Sequence, residues 1–329
     1  MKQSAAQRPE PSFQRKAAIA HGAAMEHTGH VVVEPIPNFD LDRTIFQTLE
    51  GKAARFVMSK RVGKEVYWDD KTAQAVQEAY DSAQETLELP EVDAGLLQFM
   101  VDECDFDVEH ADGSFLDHLY FCFEYTALHY PQHSALPMLL HSILGTGTNT
   151  FAMTADKIPS LRRHLGDFDW AHTEAFPSVL RLLYAGNLRQ ELRSNLNRLG
   201  SLKSIRMHRV IDNQPLELSA DDLWIALNYQ LIHLVDFLPA ANWATHLNDT
   251  SFILFRDLYD LLSRAGQLQA KIDYTPANSS NKAHGEHLGL GGWLTTLIPV
   301  SASEKMAAKS VTRFSERIGH SLDYTLNWG

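Results

Sequence analysis

Residues 110–146 read HADGSFLDHLYFCFEYTALHYPQHSALPMLLHSILGT, and this stretch decides the predicted fold. Apolar residues recur at helical spacing on both sides of a short polar connection, which predicts two consecutive helices. Ser114 is a suitable N-cap for the first helix, and Gly145 ends the second. His118 and His141 lie among the apolar residues of these helices. Histidines on consecutive helices joined by a short loop can face one pocket.

The same helical period covers most of the remaining chain. It predicts helices over residues 41–60, 70–87, 91–104, 156–165, 169–185, 188–199, 249–265 and 303–324. It also predicts a long apolar helix that Ser219 caps and Pro239 stops. Residues 205–218 differ, because polar and apolar side chains alternate around an Asp-Asn-Gln turn, a pattern typical of a β-hairpin. We therefore expect an all-α, mainly helical protein with one small β-hairpin near 205–218.

Three segments within the first 70 residues do not show the helical period. Residues 1–30 lack an apolar period and are predicted to form a disordered tail, which leaves 31–329 as a single helical domain. Val31–Val33 is a candidate for a short strand, and residues 61–68 are expected to form an extended connection.

Composition narrows the classes of partner. The chain has 29 Lys and Arg against 41 Asp and Glu, so its net charge is −12, which disfavours nucleic acid and anionic membranes as main partners. No apolar run approaches the roughly 18–20 residues of a membrane span, and the N-terminus lacks the apolar segment of a secretory signal. We expect a cytoplasmic protein, with an organellar transit peptide as the alternative. Cys104 and Cys122 fit no metal-binding or redox pattern and are predicted to be buried thiols.

A third candidate site residue ends a distant apolar helix. Asp236 lies among apolar residues, and burying a carboxylate is costly unless it is paired or bound to a metal. Imidazole nitrogens and carboxylate oxygens are ligands of divalent metals. The sequence therefore predicts a metal site of His118, His141 and Asp236. The structural alternatives are hydrogen-bonded core histidines and, for Asp236, a salt bridge to an arginine or exposure at the helix end.

Three segments resemble the HD-domain superfamily. FLDHLYF resembles the helix with the superfamily's first histidine, LLHSILG resembles the segment with its His-Asp pair, and LIHLVDF resembles the late helix that ends in its last aspartate. Together with PLELSADDL, their order is similar to that of an uncharacterised HD-like family with His-Ser at the central pair. The resemblance covers about residues 95–240, with helical extensions on both sides.

This resemblance implies an all-helical fold with a metal in its core. His118 would be the first ligand, His141 the second and Asp236 the last, and His110 matches the family's leading histidine as a ligand or substrate contact. Ser142 departs from the HD pattern, in which an aspartate often bridges two metals. Because serine is neutral and a poor ligand, the resemblance implies a single-metal site, or none.

The expected function is a metal-dependent HD-like hydrolase that acts on a small molecule through one iron, manganese or zinc ion. His110 or His233 would position or deprotonate the attacking water, and His233 lies one turn before Asp236 on the same helix face. Two alternatives stay open. One is a metal-free HD-like protein that binds a small molecule or acts as a scaffold. The other is an iron-dependent HD-type oxygenase, which generally needs the bridging aspartate that Ser142 replaces.

Overall fold

The computed structural model of the chain is mainly helical, which confirms the predicted fold class. It describes residues 10–26, 31–44, 49, 51–104, 109–110, 113–147, 152–241, 243–275 and 288–329, with the side chains of residues 101, 109, 110 and 113–115 left out. The helices are α1 Phe13–His21, α2 Lys52–Val62, α3 Asp70–Thr86, α4 Ala94–Glu103, α5 Phe115–His129, α6 Leu136–Leu140, α7 Ile158–Arg162, α8 Asp167–Ala185, α9 Asn187–Ser194, α10 Ala220–Val235, α11 Thr250–Ala265, α12 Gly289–Thr296 and α13 Val300–Ile318. The strands are β1 Val31–Pro35, β2 Lys64–Trp68, β3 Glu109–His110, β4 Gly113–Ser114, β5 Leu202–His208, β6 Pro215–Ser219 and β7 Thr325–Trp328.

Helix α10 is the centre of the larger apolar core. Ser219 caps it by accepting a hydrogen bond from the Asp222 backbone N–H at 3.1 Å, and every residue from Leu223 to Val235 is buried. A helix that is apolar nearly all round is stable only inside a protein, with other elements covering every face. Helices α5, α8 and α11 supply that cover.

Helix α5 separates the larger core from a second apolar cluster. Phe121 and Tyr125 point into the core around α10, whereas Leu119 and Phe123 pack with residues of α4 and α6. Helix α6 is shorter than predicted, because after Leu140 the chain continues in turns closed by i to i+3 hydrogen bonds such as Ile143 N–H to Leu140 O at 2.9 Å. His141 therefore lies at the end of a helix and between the two cores.

The predicted hairpin is present as β5 and β6, which pair antiparallel with Arg206 opposite Glu217. The C-terminal strand β7 adds to the other edge of β5, with Leu326 opposite Ile205, so the sheet has three strands. The last predicted helix was expected to end at residue 324, and this end was wrong. Helix α13 stops at Ile318 because Gly319 takes a left-handed backbone conformation, with φ of 73°, that releases the chain from the helix.

The prediction of a disordered tail over residues 1–30 was wrong for residues 13–21, which form α1. Ser12 caps this helix, and its residues from Arg15 to Ile19 are buried against α3 and α5. The prediction failed because the apolar stretch Ala17–Ile19 is short, and because the two buried cations find partners only in the folded chain. Residues 1–9 and 27–30 lie outside the described part.

The structure also tests the predictions for the first strand and for the two cysteines. Val31–Pro35 pairs antiparallel with Lys64–Trp68, so the extended connection is itself a strand. Cys104 and Cys122 are buried and free of disulfides, as predicted. Among the described residues, no helix combines the length and the apolar character needed to cross a membrane.

Candidate metal centre

Three helices bring three histidines together in the interior. His118 comes from the first turn of α5, His141 from the end of α6 and His233 from the last turn of α10. Their ring centroids are 4.9–5.0 Å apart, and one nitrogen of each ring lies within 4.8 Å of the other two. The exposed fractions are 1% for His118 and His141 and 7% for His233. This buried group of three histidines could hold a metal ion.

Hydrogen bonds fix which nitrogens of His118 and His141 face each other. His141 Nδ1 lies 2.7 Å from the Met138 carbonyl, and His118 Nδ1 lies 2.6 Å from Oδ2 of Asp236. A carbonyl and a carboxylate accept hydrogen bonds, so both Nδ1 atoms carry hydrogen and donate it. The Nε2 atoms of the two rings then oppose each other at 3.0 Å. If neither Nε2 atom carries hydrogen, their lone pairs point at each other, which favours a cation between them.

Burial keeps His141 neutral. Burial, and then the neighbouring His118, lower the pKa of His141 to about 3, although the Met138 carbonyl acts in the opposite direction. A neutral imidazole is the form of histidine that binds a metal. The His141 ring therefore presents an Nε2 lone pair at pH 7.

Asp236 lies beside the three histidines and forms a buried ion pair. Oδ1 accepts a hydrogen bond from Arg15 Nε at 2.7 Å, and Oδ2 accepts one from the second guanidinium nitrogen of Arg15 at 2.9 Å. Burial raises the pKa of Asp236, but the charge of Arg15 and the hydrogen bond from His118 outweigh it and hold the pKa well below its usual value. The salt bridge to an arginine, the alternative considered for Asp236, is thus present in the structure.

This arrangement sets Asp236 apart from the face where the histidines meet. Its Oδ2 contacts Nδ1 of His118, whereas Nε2 of the same ring faces His141. A carboxylate bound to the Nδ1–H of a histidine orients that ring for a metal on Nε2. His233, expected as a catalytic residue, is the third member of the histidine group in place of Asp236.

Aromatic rings enclose the three histidines. Phe237 lies 5.0 Å from the rings of His118 and His233, and Phe176 of α8 lies 4.8 Å from His141 and 5.3 Å from His233. Apolar surroundings lower the local dielectric and limit the access of water, which strengthens electrostatic interactions at the site.

The structure also locates Ser142, His110 and a further buried histidine, His172. Ser142 follows His141 and is 4% exposed. His110 belongs to β3, next to the start of α5, and its side chain lies outside the described part, so its predicted role stays a prediction. His172 is buried on α8 with Nε2 3.4 Å from Asp222, and it does not belong to the histidine group.

Sequence reasoning did not find Arg15. This residue lies 221 positions before Asp236 and in a segment predicted to be disordered. A signal for α1 was present, because Ser12 is a good N-cap and precedes the helix-forming run FQRKAAIAH. Nothing in the sequence singled out Asp236 as the partner of Arg15 among the 41 acidic residues.

Compared with known proteins, the chain matches no protein-family model, no curated protein and no solved structure. The resemblance to HD-domain proteins therefore stays a prediction from the quoted sequence segments.

Proposed function

We propose that the protein is a metal-dependent HD-like hydrolase that acts on a small molecule through one divalent ion, iron, manganese or zinc. The ligands would be His118, His141 and His233. One observation carries the proposal: the Nδ1 atoms of His118 and His141 are both engaged as donors, and their Nε2 atoms oppose each other at 3.0 Å in the interior.

The distance between the two Nε2 atoms fits a shared metal ion. Two histidine nitrogens bound to one ion, each at about 2.0–2.1 Å, stand roughly 2.9–3.4 Å apart, depending on the coordination angle. The separation of 3.0 Å between the two Nε2 atoms falls in this range. The third nitrogen, from His233, lies within 4.8 Å of both. Two nitrogens bound to one ion at about 2.1 Å are at most about 4.2 Å apart, so metal binding would draw the His233 ring closer to the other two.

Each residue has a role in the proposed centre. The metal would lower the pKa of a water and polarise a substrate oxygen. Asp236 would hold the tautomer and orientation of His118, and Phe176 and Phe237 would exclude bulk water. Ser142 supplies no bridging carboxylate, which supports one ion in place of two. His110 stays the predicted group for positioning the water.

One alternative has a specific observation in its favour. A distance of 3.0 Å between nitrogens is also that of an ordinary hydrogen bond, so a proton on one of the two Nε2 atoms could replace the metal. The protein would then be a metal-free HD-like binding or scaffold protein. That arrangement requires a buried imidazolium in the pair, and the Asp236 carboxylate, 2.6 Å from His118 Nδ1, is the anion that would neutralise it.

Metal content separates these functions. The full chain would be purified without chelator or affinity nickel and measured by elemental mass spectrometry. We expect about one equivalent of iron, manganese or zinc in the wild type, and its loss in His118→Ala, His141→Ala and His233→Ala. His164→Ala is the matched control, because His164 is partly exposed and does not belong to the histidine group. Its Nδ1 pairs with Asp93 at 3.1 Å.

Activity assays then divide the enzymatic alternatives. The metal-loaded protein would be tested against a panel of small phosphate esters, and the iron form also for oxygen consumption. Hydrolysis that disappears in His118→Ala and His141→Ala supports the proposal, whereas oxygen uptake with iron favours the oxygenase. A wild type that binds no metal, even after reconstitution, refutes the hydrolase and favours the metal-free protein.

A further inference from the structure

We propose that Arg15, on the N-terminal helix α1, is a positioning residue of the metal centre: its guanidinium fixes the carboxylate of Asp236, and that carboxylate holds the His118 ring with Nε2 towards the metal. The inference rests on the proposed function, since it assigns Arg15 a role towards the metal bound by the three histidines.

The contact between Arg15 and Asp236 has the geometry of a clamp. Two nitrogens of one planar guanidinium donate to the two carboxylate oxygens at 2.7 and 2.9 Å, and this two-point contact fixes the plane of the carboxylate. The side chains of Arg15 and Asp236 are 4% and 3% exposed, so water does not compete for these hydrogen bonds. Oδ2 is then aimed at Nδ1 of His118 at 2.6 Å.

The carboxylate has little else to orient it. Asp236 is the C-cap residue just after α10, and its side chain is buried. Within the part of the chain that the structure describes, its side chain hydrogen-bonds to Arg15 and His118. Without the guanidinium, the carboxylate could rotate about its Cβ–Cγ bond, and the orientation of the His118 ring would no longer be fixed from this side.

Other contacts hold α1 in place without Arg15. Gln14 Nε2 donates to the Leu238 carbonyl at 2.8 Å, and His129 Nε2 donates to the Ile19 carbonyl at 2.7 Å. Lys16 Nζ donates to Gln77 at 2.5 Å on α3. Removal of the Arg15 guanidinium is therefore expected to leave α1 docked, so that its effect on the metal is measurable in a folded protein.

Gln14 provides a matched control. It lies next to Arg15 on the same helix and also contacts the segment after α10, but through the Leu238 carbonyl and not through Asp236. Gln14→Ala tests for a general loosening of the contact between α1 and α10. Arg15→Met removes the clamp and keeps most of the side-chain volume, and Arg15→Lys keeps the charge but loses the two-point geometry.

The experiment is a zinc titration of the full chain in competition with a chromophoric chelator, with circular dichroism to verify folding. We expect Arg15→Met to weaken zinc binding about 10-fold or more, in the range seen when a group that orients a metal ligand is removed. Arg15→Lys should lie between Arg15→Met and the wild type, and Gln14→Ala should stay within about 2-fold of the wild type.

A double-mutant cycle tests whether Arg15 acts through Asp236. In an Asp236→Asn background, Arg15→Met should add little further loss of zinc affinity, because the carboxylate it positions is already gone. The same loss in both backgrounds would overturn the inference, since it would mean that Arg15 affects zinc binding without acting through Asp236. Arg15→Met with wild-type or tighter zinc binding would also overturn it. If Arg15→Met does not fold, Arg15→Lys and its cycle with Asp236→Asn decide the question by the same criterion.

Failure of the inference and failure of the proposed function are distinguishable. A wild type that binds no zinc refutes the metal centre itself. Zinc binding that is lost in His118→Ala and His141→Ala, but unchanged in Arg15→Met, leaves the metal centre standing and refutes only the role of Arg15.

Discussion

Replacement of Asp236 by alanine should destabilise the protein strongly even without metal. The substitution removes the carboxylate of Asp236 that pairs with the guanidinium of Arg15, whose side chain is 4% exposed. Removing one member of a buried ion pair typically costs about 3–5 kcal/mol, because the remaining charge stays buried and unpaired. His118 Nδ1–H also loses its acceptor, and an unsatisfied buried donor costs about 1–3 kcal/mol. We expect a loss of about 4–6 kcal/mol in the free energy of unfolding, since the two penalties overlap.

Urea unfolding in the presence of a chelator would measure this loss, because bound metal would otherwise add its own linkage to stability. The double variant Arg15→Met with Asp236→Leu should recover the part of the loss that comes from the buried guanidinium, because neither new side chain carries a charge to desolvate. The part that comes from the lost acceptor of His118 Nδ1–H should remain. Arg206→Met is the control, because the ion pair of Arg206 with Glu217 is exposed and should contribute little.

Two results would refute this reasoning. A loss below about 1 kcal/mol for Asp236→Ala would mean that the pair is hydrated in solution like a surface salt bridge. Failure of the double variant to recover stability would mean that the contact supplies more than mutual neutralisation of two buried charges.

Three further predictions concern the metal, pH and the end of α13. Chelator should lower the melting temperature of the metal-loaded wild type by about 5 °C and leave His141→Ala unchanged, as differential scanning fluorimetry would show, and equal shifts in both would contradict the site. Burial lowers the pKa of His172 and of His320 from 6.5 to about 4. Between these values the unfolded chain binds more protons than the folded protein, so stability should fall as pH falls from 6.5 towards 4, by up to about 3 kcal/mol for each histidine. Urea unfolding across this pH range checks it, and His320→Gln should flatten the dependence. Gly319→Ala should cost about 1–2 kcal/mol, because φ is 73° there, whereas Gly200→Ala, a site without positive φ or close neighbours, should cost less than 1 kcal/mol in the same assay.

The sequence predicted those features that depend on local pattern. The apolar period and the Ser219 cap predict α10 within a residue at its start, and alternation predicts the pairing of β5 with β6. The same local pattern singled out His118 and His141, because a histidine in an apolar helix face stands out. Their approach to 3.0 Å follows from the short connection between α5 and α6.

The features that escaped prediction depend on partners distant in sequence. Strand β7 has only four residues and pairs with β5, which lies more than 100 positions earlier in the chain. No local pattern in these four residues indicates that partner. Arg15 is buried in a pair with Asp236, which lies 221 positions later in the chain. The grouping of His233 with the other two histidines could have been predicted from the sequence. His233 lies three residues, about one helical turn, before Asp236, which was itself expected at the site.

The span between Arg15 and Asp236 also fixes when the site can form. The pair joins residues 221 positions apart, so α1 cannot dock on the end of α10 until that helix has left the ribosome. At about 5–20 residues per second, α1 waits roughly 10–45 s during synthesis. The histidine group likewise requires His233, so it cannot be complete before the last turn of α10 has been synthesised. A truncated mRNA that ends before codon 233 would yield a chain that contains His118 and His141 but lacks both His233 and Asp236.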